Sequence, residues 1–346
     1  DSTGQSTSFA GTSINNADAF TATTYSGFDF TDTWVLIDGE TRPMLQSEYS
    51  TSIATAHQLQ LMSQNLGADY TLVGDIDMTG AFTANSGGNY GDVWGSSGFN
   101  PIGTFSGNFN GQGHTITDLT INRGSINNVG LFRVLTGTVS DIGLVGGSIT
   151  GNGDSGTLVG AVNASGSVTR AYSTAAISAN GNFAGGLIGH NYGTVSLSYA
   201  GGAVTSTAAS AGGLVGMNDV GGTISDSYAT GAVTAATYAG GFAGGNRGTL
   251  EHVYSSGLVS GGGGNGGLTP YNVGTITESY WDTQTSGTTS GYGTALTTAQ
   301  LQGTFPTGFS GAVWGTGANL YPYFNWQYAT TPVAVSGKAY SDSGTT

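Results

Sequence analysis

The sequence predicts an all-β protein, a right-handed parallel β-helix (β-solenoid) carrying one short capping helix, and three observations predict it. First, the phrase Ala184-Gly-Gly-Leu-Ile-Gly-His-Asn191 returns at 211–218 and 239–246, and in worn form at 266–272 and 156–163, with a period of 26–29 residues. A period in the twenties is too short for a domain and marks a solenoid whose units bury their apolar faces only against their neighbours. Second, glycine supplies 63 of the 346 residues, a frequency that would cripple helical repeats. Third, the apolar pieces are short and rich in Val, Ile, Thr and Tyr, which suits short strands separated by turns.

Equivalent positions of successive coils stack at the strand spacing of about 4.8 Å. Leu158, Leu187, Leu214, Phe242 and Leu268 therefore form one inward apolar ladder, and Asn163, Asn191, Asn218, Asn246 and Asn272 an amide ladder at a turn. Stacked amides can hydrogen-bond along such a column. Each copy continues through a hydroxyl-apolar-polar triplet, such as Thr194-Val-Ser196, to a tyrosine: Tyr172, Tyr199, Tyr228, Tyr254 or Tyr280.

Taken in order, residues 1–48 look like the closing segment of a preceding array. Ser26-Gly-Phe28 matches Thr307-Gly-Phe309, Trp34 matches Trp314, and Arg42-Pro-Met-Leu45 matches Tyr321-Pro-Tyr-Phe324, all at offsets of 279–281, as does Asp1-Ser-Thr-Gly against Asp282-Thr-Gln-Thr. The duplication predicts a piece of a longer series, with a module repeat of about 280 residues, in which Phe28, Trp34 and Leu45 need apolar cover. Residues 49–66 read as the capping helix, with apolar Ile53, Ala56, Leu59, Met62 and Leu66, a Thr55/Gln58 capping box and Gly67 just beyond. Residues 67–295 form the β-solenoid. It opens on the alternating strand 70–78 and the turn-rich stretch 99–114, and becomes regular from Gly130 onward. Residues 296–330 form an aromatic closing segment, and 331–346 a linker or the start of a next module.

Composition bounds the function. Only 8% of residues are charged, with 6 Lys+Arg against 20 Asp+Glu and a net charge of −14. Nucleic acid is therefore not an expected partner, nor are anionic membrane surfaces. Cysteine is absent, so stability rests on stacking and ladder hydrogen bonds. No apolar run approaches the roughly 18 residues of a membrane helix, and no membrane insertion of this segment is expected.

The phrases Gly-Gly-Leu-x-Gly-x-Asn and Gly-Thr-Ile-Ser-x-Ser-Tyr (residues 222–228) resemble the GLUG-motif repeats of large bacterial filamentous-haemagglutinin-like surface adhesins of the two-partner secretion type. The stretches 72–78, 101–116 and Ser279-Tyr-Trp-Asp282 resemble those that precede and close such repeats. The resemblance covers roughly residues 20–330. It implies a β-solenoid at the outer surface of a bacterium or outside it, in a modular adhesin or extracellular filament. The partners it implies are cell-surface or matrix glycans and proteins, or further copies of the chain. It carries over no catalytic residue.

Asp75 and Asp77 lie two apart on one strand face, about 7 Å apart, where a hydrolytic β-helix would want a carboxylate pair and calcium would want the oxygens. No cationic support accompanies them, so a solvated face is the reading and catalysis is not expected. Gly151-Asn-Gly-Asp154 and Gly87-Gly-Asn-Tyr-Gly-Asp92 fall short of calcium-binding nonapeptide spacing. His57, His114, His190 and His252 occupy different repeat positions and show no ligand spacing. No cofactor is called for, with calcium at Asp75 and Asp77 as the alternative. The tyrosine column can serve as a platform for sugar rings, but a buried or half-buried ladder with hydroxyls reaching water is the better reading. Two residues before each tyrosine stand Arg170, Leu197, Asp226, His252 and Glu278, a variety that marks solvent. The stacked hydroxyl triplets suit an ice-binding face as a remote alternative, with Glu251 breaking the regularity. A structural and adhesive role is expected, with a carbohydrate-binding or carbohydrate-cleaving β-helix as its rival.

Overall fold

The computed structural model describes residues 14–15, 17–84, 90–328 and 330–333. The match at Asp1, residues 87–89 of the Gly87–Asp92 motif and nearly all of the 331–346 linker lie outside them.

Four stacks of parallel strands make the walls. The first runs Ile102–Phe105, Phe132–Leu135, Val159–Val162, Ile188–Asn191 and Val215–Asn218. The second, longest stack includes Thr138–Val145, Ser167–Ser173, Thr223–Ala229 and Thr249–Ser255. The third runs from Thr120–Asn122 to Val259–Gly261 and the fourth from Asp154–Gly156 to Gly264–Gly266. Each coil visits the four stacks in that order before rising one strand, and the regular part makes about six turns. This is a parallel β-solenoid.

Inside, Leu158, Leu187, Leu214, Phe242 and Leu268 are fully buried, and Leu131 extends their column by one coil. Backbone bonds of 2.9–3.0 Å run from each of Leu158, Leu187, Leu214 and Phe242 to the carbonyl of the next residue in the column. Beside them the buried amides of Asn191, Asn218 and Asn246 and the half-buried Asn272 form a column in which each donates to the next at 2.7–2.8 Å. Asn163 is not in this column. Strand register pairs Val162 with Asn191, and Asn163 stands one residue further on, exposed in the turn. The reason is spacing: Leu158 precedes Asn163 by five residues, whereas the other four copies have four between leucine or phenylalanine and asparagine. A strand keeps one register along its length, so a slip within it would turn side chains to the wrong face.

The second stack turns a corner at Asp141, Arg170, Leu197, Asp226, His252 and Glu278, each with φ between 41° and 55°. Side chains larger than glycine resist this left-handed conformation. It persists because six like corners stack, and because after Leu197, Asp226 and Glu278 the next residue is a serine that turns inward. Ser198 and Ser227 each donate to the carbonyl two residues back, at 2.7 and 2.8 Å. Each also accepts an N–H from the preceding coil, from Ala171 and Ser198 respectively, at 3.2 Å. The Ser-x-Ser-Tyr phrase is thus a corner device that satisfies buried backbone.

The capping helix is shorter than the sequence suggests. Helix α1 spans Ala56–Leu61 and continues as a 3-10 turn over Met62–Gln64, while Ser52–Ile53 is a strand paired with Tyr70–Leu72. Thr55 caps α1 by accepting the Gln58 N–H at 3.2 Å. Leu59 and Leu61 of α1 and Met62 of the 3-10 turn are fully buried over the first coil. A second helix, α2 (Thr298–Leu301), starts at a Thr297/Gln300 capping box. Two antiparallel hairpins flank the array, joining Trp34–Val35 to Met44–Leu45 and Trp314–Gly315 to Tyr323–Phe324.

Candidate functional site

The tyrosines sit on the outside of the second stack, because inward-facing Val168, Ala171 and Ser173 alternate with them. Tyr172, Tyr199 and Tyr228 lie ring over ring at 4.8 Å, within 3° of parallel, and Tyr254 follows at 5.1 Å. Where the column would continue, residue 143 is glycine. A Cβ there would come within 2.3 Å of the Tyr172 ring, so Gly143 leaves the space that ring fills.

The column divides into two environments. Its far end is roofed by the closing segment: Tyr228, Tyr254 and Tyr280 are buried under Leu301, Phe309, Trp314 and Phe324. The hydroxyls are not left empty, since Tyr254 donates to Pro322 O at 2.5 Å and Tyr280 to Thr307 O at 3.0 Å. Gln327 donates to the Tyr228 hydroxyl at 2.6 Å, and the Trp314 indole to Asp226 at 3.3 Å. Burial holds the Tyr228 and Tyr254 hydroxyls well above their ordinary value of 10.0.

The near end is open. Tyr172 and Tyr199 are half-buried, and Trp326 and Tyr328 stand beside them 39% and 49% exposed. With Asp141 and Arg170 they line a cleft of about 250 Å³. Trp326 tilts over both tyrosines, with centroids 6.4 and 6.1 Å away. Arg170 grips Asp141 with both arms, Nε to Oδ1 at 2.5 Å and Nη2 to Oδ2 at 2.9 Å. That pairing lowers the Asp141 pKa and raises that of Arg170. Burial pushes Tyr199 up to about 12.

The sequence singled out Tyr172, Tyr199 and Arg170 but not Asp141, Trp326 or Tyr328. Asp141 was within reach, since it precedes Arg170 by one period. The two aromatics follow no period.

Asp75 and Asp77 are not in this cleft's lining, although Asp75 is near enough to add to burial in raising the pKa of the Tyr172 hydroxyl. Asp75 accepts the Thr115 N–H at 2.8 Å and lies 3.2 Å from His114, while Asp77 accepts the Thr79 N–H at 2.8 Å. Those bonds hold both carboxyls below their ordinary value. Among the described residues no group of three or more His, Asp or Glu side chains gathers as a metal site. Three of the histidines bridge carboxylates instead. His57 sits 2.7 Å from both Glu48 and Asp92, and His190 3.1 Å from both Asp154 and Asp219. His252 lies 3.6 Å from Asp226 and 3.1 Å from Glu278. His57 and His190 thus have both ring nitrogens in hydrogen bonds, while His252 has one, to Glu278. No described helix is long and apolar enough to cross a membrane, which says nothing of β-barrels.

Comparison with known proteins agrees with the fold and leaves the site open. No family model matches the chain. A stretch of 130 residues, 36% of the chain, is 35% identical to halomucin of Haloquadratum walsbyi, of which it spans 1% of the length. Among solved structures, a Bacteroides ovatus protein described as "a putative immunoglobulin A1 protease" superposes with a TM-score of 0.57. The match covers 80% of this chain and 92% of that one, at 20% identity. At that identity the likeness is one of fold.

Proposed function

We propose that this chain is an adhesive solenoid segment of a secreted or cell-surface protein, and that the cleft at the open end of the tyrosine column is its contact surface for saccharide. The observation that carries the reading is the pair Tyr172 and Tyr199, stacked in parallel at 4.8 Å beside the exposed rings of Trp326 and Tyr328 and within one cleft of the Asp141–Arg170 pair. A sugar ring has an apolar C–H face and a rim of hydroxyls. The exposed rings of Trp326 and Tyr328 take the first, while the stacked tyrosines wall the cleft with their edges and the fixed charged pair hydrogen-bonds the second. Closely stacked tyrosines hold their rings at no further entropic cost on binding, which favours affinity.

The surface location is supported by the match to halomucin and by the resemblance to GLUG-type exoproteins, whose two-partner export route would then apply. The cleft is proposed to bind without cleaving. Glycoside hydrolysis needs two carboxyl groups flanking the bond, and the one carboxylate in the lining is already gripped by arginine. A panel of acidic and neutral polysaccharides, titrated by calorimetry, tests the reading. Binding by the parent chain that weakens at least tenfold in Trp326→Ala and Tyr199→Ala is the expected result, worth about 1.4 kcal/mol each. A parent chain that binds none of the panel, or release of new reducing ends, would overturn it.

A further inference from the structure

Residues 25–48 and 306–327 share a set of equivalent bonds. Phe28 donates its N–H to Tyr25 O and Phe309 to Pro306 O, both at 3.1 Å. Trp34 donates to Asp29 O at 2.8 Å and Trp314 to Ser310 O at 2.9 Å. Gly27 and Gly308 share a left-handed φ, 95° and 85°. Trp34 pairs across its hairpin with Leu45, and Trp314 with Phe324. The side-chain amides of Gln46 and Asn325 donate at 2.9 Å to Thr31 O and Gly311 O. Glu48 accepts the Leu45 N–H at 3.1 Å as Gln327 accepts the Phe324 N–H at 2.7 Å.

What differs is the ground each stands on. Phe309, Trp314 and Phe324 are 6%, 1% and 0% exposed against the tyrosine column. Their counterparts Phe28 and Leu45 are 40% and 37% exposed, and Trp34 is half-buried. Phe28 and Trp34 still hold a joint surface, with centroids 4.8 Å apart. Nor does this face fasten the segment to its own array. That is done elsewhere, where Thr41 bridges Trp94, the Arg42 N–H donates to Val93 O at 2.7 Å, and Glu40 pairs with buried Arg123.

We propose that the face of Phe28, Trp34 and Leu45 is a docking surface for the outward tyrosine column of a second coil array of this same repeat type. It seats there as Phe309, Trp314 and Phe324 seat on Tyr228, Tyr254 and Tyr280. The segment is then a joint, with one side on the tyrosines of one array and the other on the first coil of the next. This rests on the internal duplication and is independent of the saccharide reading.

A tandem protein tests it, in which residues 1–281 are followed directly by the full chain. The upstream array then has no closing segment of its own and must take residues 1–48 of the downstream copy. The chain contains no cysteine, so Tyr228→Cys in the upstream array and Leu45→Cys downstream form a clean reporter pair. Their counterparts Tyr228 and Phe324 have centroids 5.3 Å apart. Cross-linking by disulfide is expected for this pair and not when the upstream cysteine is placed at Thr205 on the third stack.

The second measurement needs no cysteine. Phe28→Ser with Leu45→Ser should lower the tandem's unfolding midpoint by roughly 3–6 °C while leaving the single chain within a degree. Equal effects in both proteins, cross-linking no better than the control, or an upstream array that fails to fold by circular dichroism would each overturn the proposal.

Discussion

Asn218→Ala removes the middle rung of the amide column, and its cost can be worked from the contacts. The Asn218 side chain is fully buried. Its Nδ2 donates to Asn246 Oδ1 at 2.8 Å and to the carbonyls of Gly222 and Thr249 at 3.3 and 3.2 Å, while its Oδ1 accepts from Asn191 at 2.8 Å. Truncation deletes both 2.8 Å bonds, each worth about 1 kcal/mol net. It also leaves the Asn246 carbonyl oxygen facing a methyl group, an uncompensated polar atom that costs about 1–3 kcal/mol. Asn191 fares better, because its amide keeps Gly193 O at 3.3 Å. The total is about 3–5 kcal/mol. Asn163→Ala is the control, since the two asparagines close similar phrases, yet Asn163 is exposed and outside the column; a cost within about 0.5 kcal/mol is expected there. Urea unfolding followed by far-ultraviolet circular dichroism measures both. The reasoning fails if Asn218→Ala lies within 0.5 kcal/mol of the parent, or if the two substitutions cost the same.

Leu214→Ala, in the fully buried column, should cost about 3 kcal/mol in the same assay, and Leu214→Asp should prevent the array from folding by burying an unpaired charge. Leu258→Ala, at a 54% exposed position, should cost under about 0.5 kcal/mol. Gly143→Ala sets a methyl group against the Tyr172 ring and should change the near-ultraviolet circular dichroism of the stacked tyrosines, with a loss of about 1–3 kcal/mol. An unchanged spectrum would contradict the stacking. His57, held by Asp92 and Glu48, has its pKa raised from 6.5 to about 9, so its stabilisation is complete below about 6.5 and is lost as pH rises toward 9. Asp92 is depressed below 3.8 by the same partner, so its share is lost as pH falls below about 3.8. Thermal unfolding should therefore show an alkaline decline between pH 6.5 and 9 that His57→Gln flattens.

The sequence by itself determined the array. In a solenoid each contact joins residues one period apart, so a column such as Leu187, Leu214 and Phe242 can be read off by aligning repeats, and the burial of those residues follows from chemistry alone. The same logic carried the signal that Asn163 is out of step, in the five-residue spacing from Leu158. The inward serine of the Ser-x-Ser-Tyr phrase was written in the repeats too, although its bond to the preceding coil needed the corner's left-handed turn to be seen.

What only the tertiary structure decided is wherever non-periodic segments fold back over the array. The closing segment lies far along the chain from the tyrosines it touches, Gln327 being 99 residues from Tyr228, and no repeat spacing encodes that distance. So the division of one tyrosine column into a roofed half and an open cleft, and the meeting of Glu48, His57 and Asp92, depend on how loops of unequal length return to the walls. Stacking makes equivalent residues neighbours by rule, while the return of a loop is settled only by the surface it finds.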